Sequence, residues 1–174
     1  MTSTIIDDDN HGEQALVIKE LAERFYDGDR SLVIVGVEGV GKTSMTNAIV
    51  SDLPRDTWSD KSATKCAVLH DDIRGISRNP IHHWVDDICD ADLILCGDMV
   101  RSDAQAIDAY SRERKTIFAL AANPNLESAL TVMADLTGRD ATEIDGRYAF
   151  VMLSKDVDGT RRFTTHGLGD WSVP

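Results

Sequence analysis

The stretch SLVIVGVEGVGKTSMTNAIV, residues 31–50, decides the fold of this chain. It begins with SLVIV at residues 31–35, a continuous apolar run of strand length, which is typical of a strand buried on both faces of a parallel sheet. A turn with three glycines follows. From Lys42 onward the residues predict a helix that stops before Pro54. The order of strand, glycine-rich turn and helix predicts the first unit of an α/β fold.

The turn has the spacing of a phosphate-binding loop. Residues 36–43, GVEGVGKT, match G-x-x-x-x-G-K-[ST] without a gap. Glycines let backbone N–H groups turn inward around phosphate oxygens, and the following helix presents its positive end to them. We expect Lys42 to contact the β- and γ-phosphates of a bound nucleotide and the Thr43 hydroxyl to bind Mg2+. The predicted nucleotide-binding residues are Gly36, Val37, Glu38, Gly39, Val40, Gly41, Lys42, Thr43 and Ser44.

Two later apolar runs end in acidic residues. AVLHDD, residues 67–72, ends in Asp71 and Asp72. DLILCGD, residues 92–98, ends in Asp98. An acid at the end of a strand near the loop holds Mg2+ or polarises the attacking water. We therefore predict Lys42, Asp71 and Asp98 as catalytic residues. Thr43 and Asp98 are the predicted metal-binding residues.

The rest of the chain alternates helical and strand-like segments, which predicts an α/β fold with a mainly parallel sheet and a C-terminal hairpin. We expect one domain over residues 12–174, after a flexible acidic segment at residues 1–11. Helices are predicted over about 12–25, 79–89, 102–113 and 123–138, strands over about 65–72, 92–98 and 116–122, and a final hairpin around the turn at 156–159.

Composition limits the classes of function. The net charge is -12 and the pI is about 4.7, which argues against a surface that binds nucleic acid through its phosphates. The chain has no apolar run near the ~20 residues that span a bilayer. Its first residues, MTSTIIDDDNHGEQ, lack the basic and apolar regions of a signal peptide. We expect a cytoplasmic protein that does not bind nucleic acid directly.

Four segments occur in an order that resembles one protein family. They are GVEGVGKTSMTNAI at 36–49, AVLHDDIRGI at 67–76, DADLILCGDMVRSDAQAIDAY at 90–110 and TIFALAANPNLESAL at 116–130. The series resembles the secretion ATPases of type II and type IV systems, and most closely their conjugal-transfer ATPases. The resemblance extends over about residues 13–163. It implies a RecA-like, three-layer P-loop NTPase fold and hydrolysis of ATP with Mg2+. It also implies either a homo-oligomeric ring or a larger secretion or transfer complex at the inner face of the cell membrane, with membrane contact only through partners.

The sequence departs from the family pattern at several positions. Asp98 stands where the family usually has Glu, and Ala121 stands where it has the histidine of its His box. The family also has a separate N-terminal domain, for which we expect no counterpart because the loop begins at residue 36. These departures indicate a motor domain that keeps nucleotide binding and has weakened hydrolysis. Arg101 is either an arginine that reaches a neighbour's phosphates or a surface residue.

Two other functions remain open alongside the ATPase motor. A small-molecule, nucleoside-type kinase would use the acids after AVLH to activate an acceptor hydroxyl and SRERK, residues 111–115, as a lid. A non-catalytic regulatory partner would bind nucleotide without turning it over, in keeping with Ala121. No guanine-reading motif is present, which favours ATP over GTP.

Overall fold

The computed structural model describes residues 3–6, 11–53, 65–69 and 83–169. Within them no helix is long and apolar enough to cross a membrane. The helices are α1 (His11–Asp27), α2 (Lys42–Ser51), α3 (Ala104–Glu113), α4 (Leu126–Thr137) and α5 (Ala141–Arg147). The strands are β1 (Ser3–Ile6), β2 (Ser31–Gly36), β3 (Lys65–Val68), β4 (His83–Trp84), β5 (Leu93–Asp98), β6 (Lys115–Ala121), β7 (Tyr148–Lys155) and β8 (Arg161–His166).

All the described strands form one sheet in the order β1-β8-β7-β2-β6-β5-β3-β4. The pairings from β7 to β4 are parallel, whereas β8 runs antiparallel to both β7 and β1. The strand before the glycine-rich loop, β2, lies between β6 and β7. The carboxyl ends of β2, β5, β6 and β7 lie at one edge of the sheet, which we call the loop edge.

Helices cover both faces of the sheet. Along β2, Leu32 and Ile34 belong to the apolar cluster that includes α1 and α2. The alternating residues Val33 and Val35 belong to the cluster that includes α3, α4 and α5. Burial of each such side chain on both faces stabilises the fold by about 1.5–3 kcal/mol. The predicted three-layer α/β fold, with a mainly parallel sheet and a C-terminal hairpin, is confirmed.

Short polar signals determine where the helices begin and end. The Asn125 side chain accepts a hydrogen bond from the Ser128 N–H at 2.8 Å and caps α4. Gly138 ends the same helix in the left-handed region, at φ 74°, as the sequence predicts. Helix α3 begins at Ala104, after Asp103 in the N-cap position, and so starts two residues later than the sequence predicts.

The helix predicted over residues 79–89 is wrong where the structure describes it. His83–Trp84 forms β4, which pairs in parallel with Lys65 and Cys66 of β3. Ile88–Asp90 forms a short 3-10 turn that is capped by the Asp87 carboxylate. Residues 79–82 lie outside the described part of the chain. An edge pairing with a distant strand therefore overrides the local helical pattern.

Two further elements have no counterpart among the predicted ones. The strand β1 lies within residues 1–11, where the sequence predicts a flexible segment, and its backbone pairs antiparallel with β8. The helix α5 has seven residues and is capped by Asp140, whose carboxylate accepts a hydrogen bond from the Glu143 N–H at 2.8 Å.

Candidate functional site

Glycine is required at three positions of the loop between β2 and α2. Gly39 and Gly41 have φ values of 77° and 104°, a region that side-chain-bearing residues rarely adopt. At Gly36, an added Cβ would lie 2.6 Å from Cγ1 of Val40 and 3.0 Å from the carbonyl oxygen of Leu153. The loop therefore has a tightly curved backbone that packs closely against β7.

No side chain caps the N-terminus of α2. Gly41 occupies the N-cap position and offers no side chain to the first-turn N–H groups, and no acidic residue lies in that turn. The side chains of Thr43 and Ser44 in the same turn are exposed. An uncapped helix start presents backbone donors and the positive end of the helix dipole, which is a suitable site for an anion.

Lys42 lies beneath the loop. Its side chain is only 7% exposed, and its Nζ donates to the carbonyl oxygens of Gly36 at 3.2 Å and Val37 at 3.5 Å. The same Nζ lies 3.3 Å from Oδ1 of Asp98. The loop carbonyls and the carboxylate thus hold the buried ammonium group, since an ammonium without partners is costly to bury.

Asp98 reaches Lys42 even though β6 lies between β5, which ends at Asp98, and β2, which leads into the loop. Between Leu95 and Asp98 the pairing of β5 with β6 shifts, because Leu95 faces Ile117 whereas Asp98 faces Ala119. One extra residue of β5 therefore bulges from the ladder, and bulges of this kind redirect side chains near functional sites. The Asp98 side chain is 55% exposed, so its second oxygen remains accessible to a ligand.

The donor set at this edge fits a magnesium ion bound with phosphate. The Thr43 hydroxyl and the Asp98 carboxylate offer hard oxygen ligands, and both side chains are exposed. Mg2+ prefers such ligands and usually keeps several waters and phosphate oxygens in its coordination shell.

The structure brings together most of the residues singled out from the sequence. The segment 36–44 forms one loop and helix start, with Asp98 beside it. The Glu38 side chain is exposed at the tip of the loop. Asp71 lies outside the described residues, so its position relative to Lys42 stays a prediction.

Sequence reasoning did not single out Arg161, which lies beside the loop. Its guanidinium carbon is 3.5 Å from the point at which a Cβ of Gly41 would lie. Arg161 is the first residue of β8 and follows the turn of the C-terminal hairpin. The available signal was the pair of arginines in DVDGTRR, residues 156–162, since a hairpin turn can return the chain to the edge where the preceding strand ends.

Two other basic residues bind groups of the chain itself. Arg101 donates to the carboxylate of Asp135 on α4 at 2.6 Å, and both side chains are exposed. Lys115, the last residue of SRERK, begins β6, and its Nζ donates to the carbonyl oxygens of Phe25 and Tyr26 at the end of α1. Because β6 begins at the edge opposite the loop edge, SRERK does not form a lid over the loop.

Comparison with solved structures identifies the fold. The chain is similar to the VirB11 ATPase from the Brucella suis type IV secretion system, crystallised in complex with sulphate, with a TM-score of 0.62 and 16% sequence identity. That match covers 87% of this chain and 54% of the VirB11 chain, so this chain spans about half of its length. The Legionella pneumophila ATPase DotB also matches, at 17% identity and a TM-score of 0.48, over 81% of this chain and 46% of that one.

The sequence matches no protein-family model, and no curated protein is significantly similar to it. At 16% identity the VirB11 comparison shows the fold alone. The resemblance to secretion ATPases that the sequence predicts is therefore confirmed for the fold.

Proposed function

We propose that this chain is a nucleotide-binding motor domain that hydrolyses ATP with Mg2+, of the kind found in secretion and conjugal-transfer ATPases. The observation that carries the proposal is the loop at residues 36–44, in which three required glycines lead into an uncapped helix start above a buried lysine. A polyphosphate is the ligand that this arrangement of donors suits best. A protein of the same fold, the VirB11 ATPase, has been crystallised with sulphate.

Each group then has a defined role. Lys42 turns from Asp98 to the β- and γ-phosphates, while Thr43 and Asp98 hold Mg2+. The metal ion, when bound, neutralises charge on the transferred phosphoryl group. Asp98 also orients the attacking water through its exposed oxygen, and Asp71 is a second acid for the same purpose.

Binding begins with the loss of an ion pair. In the structure Lys42 and Asp98 are 3.3 Å apart, so an incoming phosphate competes with the carboxylate for the ammonium group. The phosphate carries more negative charge than the carboxylate, and it also accepts hydrogen bonds from the backbone N–H groups at the start of α2. The exchange would leave the Asp98 carboxylate available to hold a metal ion and to orient water.

A non-catalytic nucleotide-binding regulatory partner is the second candidate. Two observations favour it. The carboxylate of Asp98 is paired with Lys42. At the end of β6, the strand between β2 and β5, Ala121 offers no polar side chain. The nucleoside-type kinase has less support, because SRERK lies at the edge opposite the loop and does not form its lid.

The cellular setting follows from the same proposal. The motor would work in the cytoplasm, as a homo-oligomeric ring or within a larger secretion or transfer complex, and would meet the inner face of the cell membrane only through partners. Arg101 could act on a neighbour's phosphates only after leaving Asp135, to which it is bound within its own chain.

Calorimetric titration of ATP with Mg2+ into the wild-type chain and Lys42→Ala tests the proposal. We expect micromolar binding by the wild type and a loss of at least about a hundredfold in Lys42→Ala, since the variant lacks the buried charge that faces the phosphates. Lys19→Ala is the matched control, because Lys19 is an exposed lysine of α1 paired with Glu23. A wild-type chain that does not bind ATP would contradict the proposal.

Phosphate release then separates the candidate functions. Free phosphate produced by the wild type and not by Lys42→Ala supports the motor. Tight binding without phosphate release supports the regulatory partner, whereas a phosphorylated small molecule supports a kinase.

A further inference from the structure

We propose that Arg161 is a phosphate-binding residue of this site, contributed by the C-terminal hairpin. The inference rests on the proposed function, because it assigns an additional contact to the same bound nucleotide. The residue lies outside the glycine-rich motif by more than a hundred positions of the sequence. It would supply positive charge from the side of the loop, whereas Lys42 supplies it from below.

The guanidinium of Arg161 lies against the last glycine of the loop. Its Cζ, Nη1 and Nε atoms are 3.5, 3.6 and 3.7 Å from the position of an added Cβ at Gly41. Gly41 is also the N-cap of α2, so the guanidinium borders the open helix start. Arg161 itself is exposed, and no carboxylate of the described residues forms an ion pair with it. The group is therefore available to an anion that binds at the helix start.

The hairpin fixes the start of β8 at the loop edge. β7 runs parallel to β2 and ends beside the loop, and the antiparallel strand β8 begins opposite its last residue, with Lys155 facing Arg161. The turn is tight, since the Asp156 N–H donates to the Thr160 carbonyl at 2.9 Å and Gly159 has a φ of 94°. The backbone of Arg161 is thus held in place before any ligand binds.

The neighbouring arginine is used differently. The Nε of Arg162 donates to Oδ2 of Asp156 at 2.6 Å, so its charge is neutralised within the hairpin. Adjacent residues of a strand point to opposite faces of the sheet. The two arginines therefore form a natural pair for comparison, since they have the same chemistry and adjacent positions, and only Arg161 lies against the loop.

The chemistry of the two partners is complementary. A guanidinium presents parallel N–H donors that match two oxygens of a phosphate group, and such charge-assisted bonds are stronger than neutral ones. The chain as a whole has a net charge of -12, which repels a nucleotide at long range. A second cation beside the loop offsets that repulsion where the phosphates bind.

The test compares the dissociation constants of ATP, ADP and inorganic tripolyphosphate for the wild type, Arg161→Ala, Arg161→Lys and Arg162→Ala. We expect Arg161→Ala to weaken the binding of all three ligands about tenfold and Arg161→Lys to weaken it less, because lysine keeps the charge but loses the paired donors. Arg162→Ala should bind as the wild type does. Thermal melting of each variant confirms that it is folded.

The outcomes separate this inference from the proposed function. If Arg161→Ala binds tripolyphosphate as tightly as the wild type does, Arg161 does not bind phosphate. The proposed function still stands in that case if Lys42→Ala has lost its affinity for ATP. Weaker binding of ATP with unchanged binding of tripolyphosphate would also overturn it, since the contact would then be to the nucleoside. A wild-type chain that binds none of the three ligands would overturn both proposals.

Discussion

The Nζ atom of Lys42, the first residue of α2, lies 3.3 Å from Oδ1 of Asp98 at the end of β5, although β6 lies between β5 and the strand that leads into the loop. The two charged groups expected to meet a nucleotide and its metal ion are thus paired with each other. This pairing links the affinity for phosphate to the acid that is expected to assist hydrolysis.

Asp98→Asn should uncouple these two effects. Without the carboxylate, Lys42 is free to meet a phosphate and a negative charge near the ligand is removed, so ADP binding in the presence of a metal chelator should tighten several-fold. Hydrolysis of ATP should fall to background, because the metal ligand and the acid are lost. Calorimetry and phosphate release measure the two effects.

Asp135→Asn is the matched control for Asp98→Asn, since Asp135 is also an exposed carboxylate paired with a basic side chain. It should bind ADP as the wild type does. If Asp98→Asn binds ADP more weakly than the wild type in the presence of the chelator, the Asp98 carboxylate does not compete with the phosphate for Lys42.

Gly41→Ala should abolish nucleotide binding. At a φ of 104° an alanine is strained by about 1–3 kcal/mol, and its methyl group would contact the guanidinium of Arg161. Relaxation of the strain should move the N–H groups at the start of α2 away from the phosphates. The measurement is the dissociation constant for ATP together with the free energy of unfolding in urea.

Gly138→Ala supplies the comparison for this glycine. Gly138 ends α4 at a φ of 74°, and an added Cβ meets nothing within 4 Å. The variant should lose about 1 kcal/mol of stability and keep its affinity for ATP. Equal loss of binding in both variants would indicate that strain alone, rather than the loop geometry, is responsible.

Asp108→Ala should destabilise the fold strongly. The buried Asp108 carboxylate accepts hydrogen bonds from Arg112, Arg139 and Arg147, and from the hydroxyl of Tyr148 at 3.1 Å. Its removal leaves these groups without their shared anion, and breaking a buried pair costs about 3–5 kcal/mol. The free energy of unfolding in urea tests this expectation.

Asp135→Ala is the control for Asp108→Ala, because its ion pair with Arg101 is exposed on both sides. Exposed pairs contribute at most about 1 kcal/mol. A similar loss of stability in the two variants would show that the arginine cluster at Asp108 is not a structural centre.

Thiol labelling should distinguish one cysteine of the three. Burial raises the pKa of Cys66 and of Cys96 to about 12, with smaller contributions from Asp92 and Asp103, whereas Cys89 is exposed. The thiolate is the reactive form, and at pH 8 a thiol with a pKa near 12 is ionised to only about one part in ten thousand. In the native chain we therefore expect iodoacetamide to alkylate one thiol, that of Cys89, at pH 8.

The Cys89→Ser variant should not be alkylated under the same conditions. In denaturant the two remaining thiols, Cys66 and Cys96, should both react. Because the raised pKa values keep Cys66 and Cys96 neutral, a rise in pH from 7 to 9 should not bring either of them into reaction in the folded chain. Labelling of Cys96 in the native state would show that β5 opens readily.

The central elements of the fold could be predicted because they are buried on both faces. The strands β2, β5 and β6 are continuous apolar runs for that reason, and the glycine-rich turn fixes the direction of the chain between strand and helix. The edge strands β1 and β4 could not be predicted. His83–Trp84 is a strand only because Lys65–Cys66 lies next to it, and nothing in the local pattern records that pairing.

The same contrast holds for the site. The spacing of residues 36–43 predicts the loop, and the acid after an apolar run predicts Asp98. The distance between Lys42 and Asp98 depends on the strand order and on the bulge of β5, which the sequence does not display. Arg161 is near the loop because the hairpin follows β7, and β7 happens to be the neighbour of β2.

The position of β2 between β6 and β7 has a consequence for synthesis on the ribosome. A nascent chain that has emerged as far as residue 110 already contains the whole glycine-rich motif and Asp98, but neither of the strands that flank β2. Its loop also lacks Leu153, against which Gly36 packs. Contacts between such distant segments form late in folding. The packing around the loop is therefore completed only when β6 and β7 have left the ribosome.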